Sequence, residues 1–199
     1  MLPKPDTNAG AFFELVAVVA LAVGLALLGQ AFVVKPYVIP TPSMVPTIIE
    51  GQRVLANRFI YRFSDPDVGD IIVFHPPADE SCGRQPPAGQ VCAVPGAEPD
   101  SQNFIKRVVA VPGDRLYIKN GHPVVNGKMP DEPFARDCAG GNTPCNYPRE
   151  IVIPEDHYFM MGDNRGDSQD SRIWGPVDRD EIIGQAFFTY WPFDRIGFF

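Results

Sequence analysis

The stretch FIKRVVAVPGDRLYIKNGHPVV, residues 104–125, decides the fold. Phe104 to Val111 and Arg115 to Lys119 are dense in Val, Ile, Phe and Tyr, whose branched or flat side chains fit a pleated surface, and Pro112-Gly113-Asp114 breaks the run between them. Asn120-Gly121 then supplies two residues that tolerate positive φ, as a two-residue hairpin turn requires, before Pro123 to Val125 resumes the pattern. The same signature recurs in Gln52 to Phe59, Asp70 to Phe74, Tyr158 to Met161 and Ala186 to Tyr190. The expectation is a mainly β chain built on an antiparallel sheet. Pro76 to Gln102 and Met129 to Arg149 are rich in Pro, Gly, Asp and Cys and read as surface excursions from that sheet. There is no internal repeat and no heptad pattern.

Long helical character is confined to the N-terminal end. Phe12 to Val34 is a run of about 23 residues interrupted only by Glu14 and Gln30, and at roughly 1.5 Å per residue it matches a hydrocarbon core of about 30 Å. Gly29-Gln30-Ala31 offers the small-x-small pattern of a cleavable signal. An uncleaved anchor fits better, because the leader carries one lysine against one aspartate and the apolar run continues through Phe32 and Val34. Lys4 and Lys35 nearly cancel under the positive-inside rule, so charge leaves the orientation open. The reading divides the chain into a short head (residues 1–11), a transmembrane anchor (12–34) and one domain (35–199).

The cysteines orient the chain where charge does not. Cys82 and Cys92 bracket one Pro/Gly-rich loop and Cys138 and Cys145 another; neither spacing is that of a zinc or redox hook, and each can close a local disulfide. Four free thiols in a reducing compartment are the alternative. Paired cysteines place the domain in an oxidising, extracytoplasmic space, with the head inside. The formal net charge of -7 and pI near 4.9 exclude a phosphate-binding basic surface, so no nucleic-acid partner is expected.

Two residues carry candidate chemistry. Ser43 lies in IPTPSMVPT, where Pro40, Pro42 and Pro46 fix φ and remove backbone donors, so the segment is expected as a rigid extended turn that presents a hydroxyl and an amide in fixed geometry. By itself it also reads as a Pro-rich connector leaving the membrane. Lys106 lies in FIKRVVA, where the strand period puts Phe104, Lys106, Val108 and Ala110 on one face and Ile105, Arg107, Val109 and Val111 on the other. A lysine near its ordinary pKa of about 10.4 is useless as a base at neutral pH, but apolar neighbours disfavour the ammonium. The bland alternative is an edge-strand lysine with its amine in water.

The third element is GDNRGDSQDSRIWGPV, Gly162 to Val177. A calcium loop fits poorly, because Arg165 and Gly166 interrupt the ligand positions and no glutamate closes the loop, so no metal or cofactor is expected. A salt-bridged shell fits better, with aspartates clamping arginines while a serine hydroxyl reaches the base. Trp174, Trp191, Phe193, Phe198 and Phe199 are suited either to a membrane-facing rim or to the core.

Taken in order, the apolar run, IPTPSMVPTI, GDIIVF (residues 69–74), FIKRVVAVPGD and GDNRGDSQDSRIWG resemble the successive sequence boxes of bacterial type I signal peptidases, over most of the chain. The resemblance implies a Ser-Lys dyad of Ser43 and Lys106, and an oxyanion hole made by the Ser43 amide and the Thr41 hydroxyl. It also implies that Ser168 orients the lysine with support from Asp163, Asp170 and Arg172, and that Tyr37, Ile39, Pro40, Met44 and Ile105 line the pockets for small substrate side chains. Pro42 and Gly166 depart from residues common in the family at those places, which touches pocket shape and loop rigidity rather than the dyad. The implied activity is removal of signal peptides from exported preproteins with small residues at minus three and minus one from the cut, at the bacterial plasma membrane. Histidine-based catalysis through His75, His122 or His157 has no recognisable context here, and a self-cleaving repressor-like protease would need a DNA-binding module where the apolar run stands. The alternative from another class is a membrane-tethered, non-enzymatic β-domain for binding or scaffolding.

Overall fold

A computed structural model describes residues 7–78, 88–96, 98–138 and 144–199, with the side chains of 7–9 and 25–32 left out. A helix α1 (Thr7–Val33) leads directly into strand β1 (Val34–Val38). Then come β2 (Arg53–Asn57), β3 (Ile71–Phe74), β4 (Phe104–Ala110), β5 (Arg115–Lys119), β6 (His122–Val125), β7 (Tyr147–Val152), β8 (His157–Met161), the short helix α2 (Ser171–Trp174), β9 (Val177–Asp178), β10 (Ile182–Trp191) and β11 (Gly197–Phe198). The larger sheet runs β1-β2-β10-β3-β4-β8-β9 with β11 added to β10, and the smaller one runs β6-β5-β7; every named pair is antiparallel. The expected antiparallel β architecture is borne out.

The expected anchor is helical up to Val33, while Val34 already pairs with Asn57 in the sheet. Among the described residues no helix is long and apolar enough to cross a membrane, and the side chains of residues 25–32, in the second half of the expected span, lie outside that description. Besides the two-residue strands β9 and β11, two strands lay outside the expected set: β1, which contains Pro36, and β7, which contains Pro148 and begins inside the presumed excursion. Each closes one end of its sheet, the place where a residue without an N–H costs least.

Three buried clusters make the core. Ile39, Met44, Ile48, Val54, Ile71 and Ile105 form the first, beneath the β1-β2-β10 end. Leu116, Ile118 and Ile151 of the small sheet pack on Val109, Ala110, Phe159 and Met161 of the large one, joining the two sheets. Phe74, Val108, Tyr158, Met160 and Trp174 fill the third. The strict alternation expected along β4 holds only as far as Val108. A register shift against β8 between Val108 and Ala110 lets Val109 and Ala110, expected on opposite faces, share one cluster. Trp174 is likewise a core residue, edge-on to Phe104 with ring centroids 5.4 Å apart, whereas Trp191, Phe193, Phe198 and Phe199 are exposed.

Cys138 and Cys145 form a disulfide. Cys92 is also disulfide-bonded, and Cys82, its expected partner, lies outside the described residues. The Cys138–Cys145 disulfide lies against the hairpin turn: Asn120 and Gly121 adopt φ of 52° and 84°, the Gly121 N–H donates to the Cys145 carbonyl at 2.7 Å, and a Cβ on Gly121 would stand 2.5 Å from that of Cys138. Gly121→Ala therefore combines a left-handed backbone with overpacking and should lower stability in chemical denaturation by about 2 kcal/mol. Gly127→Ala, at a similar φ of 77° but with open space around it, should cost about 1 kcal/mol.

Candidate active site

Ser43 sits on one turn of 3-10 helix, Pro42–Met44, between extended residues Thr41 and Val45. The sequence suggested an extended turn throughout. A single turn is compatible with the prolines because Pro42 occupies its first position, where no intrahelical donor is needed. The segment is fastened on both sides. Ile39 exchanges backbone hydrogen bonds with the Gly51–Gln52 turn, Met44 is fully buried, and Arg195 donates to the carbonyls of Pro46 and Thr47 at 2.8 and 3.2 Å.

Lys106 enters from β4, held between β3 and β8 in the middle of the sheet, so its side chain cannot swing to an edge and reach water. It is 3% exposed. Its Nζ donates to Ser43 Oγ at 2.7 Å and to the Ile105 carbonyl at 3.1 Å, and lies 5.4 Å from the centre of the Phe104 ring. Burial strips water from the ammonium and lowers its pKa to about 8; Asp170 and Asp163 pull the other way and Arg172 assists the lowering. An amine near pH 8 is uncharged in roughly a tenth of molecules at pH 7 and can accept a hydroxyl proton. Thr41 Oγ1 stands 3.3 Å from Ser43 Oγ, adding a second hydroxyl to the same side.

The polar loop 162–174 packs behind the pair, and most of it is buried. Asp170 caps α2 through the Arg172 N–H, accepts from the Gly162 N–H at 3.1 Å, and takes a two-point bridge from the Arg172 guanidinium, both bonds 2.8 Å. Burial alone would raise the Asp170 carboxyl. The Arg172 charge, with hydrogen bonds from Arg172, Gly162 and Ser168, overcomes that and holds it below the usual carboxylate range. Asp163 receives Arg107 at 2.9 and 2.7 Å and the Thr47 hydroxyl at 2.5 Å. The buried Arg165 donates to Glu132 and to the carbonyls of Gly121 and Gly162. Gly162 passes so close to the Ser43 carbonyl and the Ser168 hydroxyl that any Cβ there would collide with both. Two aspartates of the loop thus clamp arginines, Asp170 holding Arg172 and Asp163 holding Arg107.

A cleft of about 430 Å³ opens onto Ser43 and Lys106. Thr41, Pro40, Ile105 and Ser168 line it. Ile39 and Met44 lie instead in the first core cluster, with Tyr37 packed against it, so these three back the cleft rather than wall it. Gln102, Asn103, Asp167 and Gln169 also line the cleft, and Asn164 bonds the Ser43 turn; Gln102 and Asn103 only adjoin a recognised box, and Asn164, Asp167 and Gln169 lie within one without a role assigned to them there. Among the described residues no cluster of His, Cys, Asp and Glu could hold a metal ion.

Residues 12–191 match the family model described as "Signal peptidase, peptidase S26". Similar proteins include a probable signal peptidase I-1 of Synechocystis sp., 36% identical over 92% of this chain and 85% of that one. The signal peptidase I of Leptolyngbya laminosa is 34% identical over 98% and 86%, and signal peptidase IB of Staphylococcus aureus 32% identical over 92% and 91%. With most of its length matched by that model and by these relatives, the chain belongs to the signal peptidase family, peptidase S26.

Proposed function

We propose that this chain is a membrane-anchored serine endopeptidase that removes N-terminal signal peptides from exported preproteins, with Ser43 as nucleophile and Lys106 as general base. The observation that carries the reading is the 2.7 Å hydrogen bond between a buried amine and a hydroxyl on a turn facing an open cleft. Neutral Lys106 takes the Ser43 proton as Oγ attacks the scissile carbonyl. The Ser43 amide and the Thr41 hydroxyl meet the oxyanion. The protonated lysine returns the proton to the leaving amine as the C–N bond breaks. A water deprotonated by Lys106 then releases the acyl group and restores the hydroxyl. Ser168, Asp163, Asp170 and Arg172 hold the base and its loop.

Pro40 and Ile105, rigid and apolar beside the reactive pair, suit the small side chains at minus three and minus one of the substrate. The anchor is placed at residues 12–34 on the apolar composition of that run, along which Phe12, Phe13, Leu15, Val18 and Leu21 are exposed. The disulfide in the domain supports an extracytoplasmic location on the bacterial plasma membrane, with residues 1–11 inside and 35–199 outside.

With Lys106 as base, kcat/KM on a preprotein rises with pH along a limb centred near the lysine pKa of about 8, and Lys106→Ala abolishes cleavage at every pH. Thr41→Val should lower kcat by roughly 10²–10³ while Thr41→Ser stays close to the parent; equal turnover of all three would remove Thr41 from the mechanism.

The depressed pKa also links to stability. Below pH 8 both folded and unfolded chains carry the proton, and the fold bears the full cost of a buried ammonium. Between pH 8 and 10.5 the native state releases the proton first, so this cost fades as pH rises. Lys106→Met should therefore raise the unfolding free energy in chemical denaturation at pH 6–7, by up to about 3 kcal/mol, with the gain shrinking toward pH 10.5. A gain that does not vary with pH would count against a desolvated lysine.

A further inference from the structure

Three prolines around Ser43 leave its turn short of backbone donors, and Pro42–Met44 belongs to neither sheet. Its flanks are fastened at Ile39 on one side and at Pro46–Thr47 on the other, as described above. Apart from the local bonds that the Val45 N–H makes to the Pro42 carbonyl and the Ile48 N–H to the Met44 carbonyl, the hydrogen bonds from the described residues to the turn's carbonyls come from one residue. The Asn164 N–H donates to the Ser43 carbonyl at 3.0 Å, and Asn164 Nδ2 donates to the Pro42 carbonyl at 3.2 Å. Asn164 is 8% exposed and is itself held, its carbonyl accepting from the Asp167 N–H at 3.0 Å. Two consecutive carbonyls of the turn are thus docked onto a single residue of the polar loop.

The chemistry of the residue type is specific. Aspartate has the same shape but presents only acceptors to the Pro42 carbonyl, and alanine offers no side-chain donor. The distance at stake is small: a hydroxyl moved about 1 Å from its base can lose on the order of 10² in rate, because proton transfer needs hydrogen-bond reach. We propose that Asn164 is a positioning residue for the Ser43–Lys106 pair, clamping the carbonyls of Pro42 and Ser43 so that the Ser43 hydroxyl stays against the amine. This rests on the Ser-Lys reading given above.

The test uses the full chain and a preprotein substrate, with kcat, KM, the pH–rate profile and the melting temperature measured together. Asn164→Ala should lower kcat by roughly 10- to 100-fold with KM within about threefold. Its acid limb should also move to higher pH, because a loosened turn admits water to Lys106 and restores the ammonium. If Asn164→Ala melts below the assay temperature, Asn164→Asp carries the same test, since it keeps the backbone bond and the shape while opposing two acceptors; its kcat should fall at least as far. A parental kcat overturns the proposal, as does a fall in kcat with the acid limb unmoved. Lys106→Ala run in parallel separates the two levels: activity remaining there sinks the Ser-Lys reading itself, whereas an inactive Lys106→Ala beside an unimpaired Asn164→Ala sinks only the role of Asn164.

Discussion

The exclusion of water from one amine governs the arrangement around it. Lys106 is placed on an interior strand, against the Phe104 ring, where its amine donates to a hydroxyl and a carbonyl. A carboxylate alone at Asp170 would undo this, because an unbalanced negative charge nearby favours the ammonium. The two-point bridge to Arg172 makes the buried pair close to neutral as seen from the lysine, so the loop can be polar and rigid without supplying a counter-ion. Such a pair is no strong source of stability, given the cost of dehydrating both charges. Its value here lies in shape: Asp170 simultaneously caps α2 and fixes the start of the loop at Gly162.

The same logic explains why so much charge is buried beside the cleft in a domain of this size. Asp163 with Arg107, Arg165 with Glu132, and Asp170 with Arg172 each satisfy their charges internally: the first ties the loop to β4, the second to the segment after β6, and the third closes the loop on itself. Arg107 neighbours Lys106 on β4, so the strand that carries the amine also grips the loop behind it. Gly121, whose carbonyl accepts from Arg165, lies in the turn against the Cys138–Cys145 disulfide. The small sheet is thereby coupled to the cleft through hydrogen bonds as well as through the second core cluster.

Much of this was legible from residue patterns, for reasons particular to each element. Asn120-Gly121 was decisive because few residue pairs accept positive φ twice, and it does form the turn between β5 and β6. Ser43 and Lys106, 63 positions apart, were singled out from their neighbours and lie within hydrogen-bond reach. Strands β1 and β7 escaped notice because Pro36 and Pro148 argue against a strand unless its edge position is known, which is a tertiary fact. The bulge at Val109 breaks a period that local pattern can only assume. Tyr37, Ile39 and Met44 were expected at the cleft, but packing beneath β1 and β2 drew Ile39 and Met44 inside. Asn164 was invisible for a different reason: its partners are main-chain carbonyls, which leave no trace in side-chain pattern.

The short path from α1 to the reactive serine has a geometric consequence. Helix α1 ends at Val33 and Ser43 follows ten positions later, five of the intervening residues being locked in β1. Ten residues reach at most about 33–36 Å, and β1 alone spans roughly 17 Å. With α1 seated in a bilayer, the hydroxyl is a fixed arm's length above the lipid, and a chain emerging alongside would meet it only at a set number of residues past its own apolar segment. The protein would then measure its cut from the membrane surface, as a ruler does, before any pocket reads a side chain.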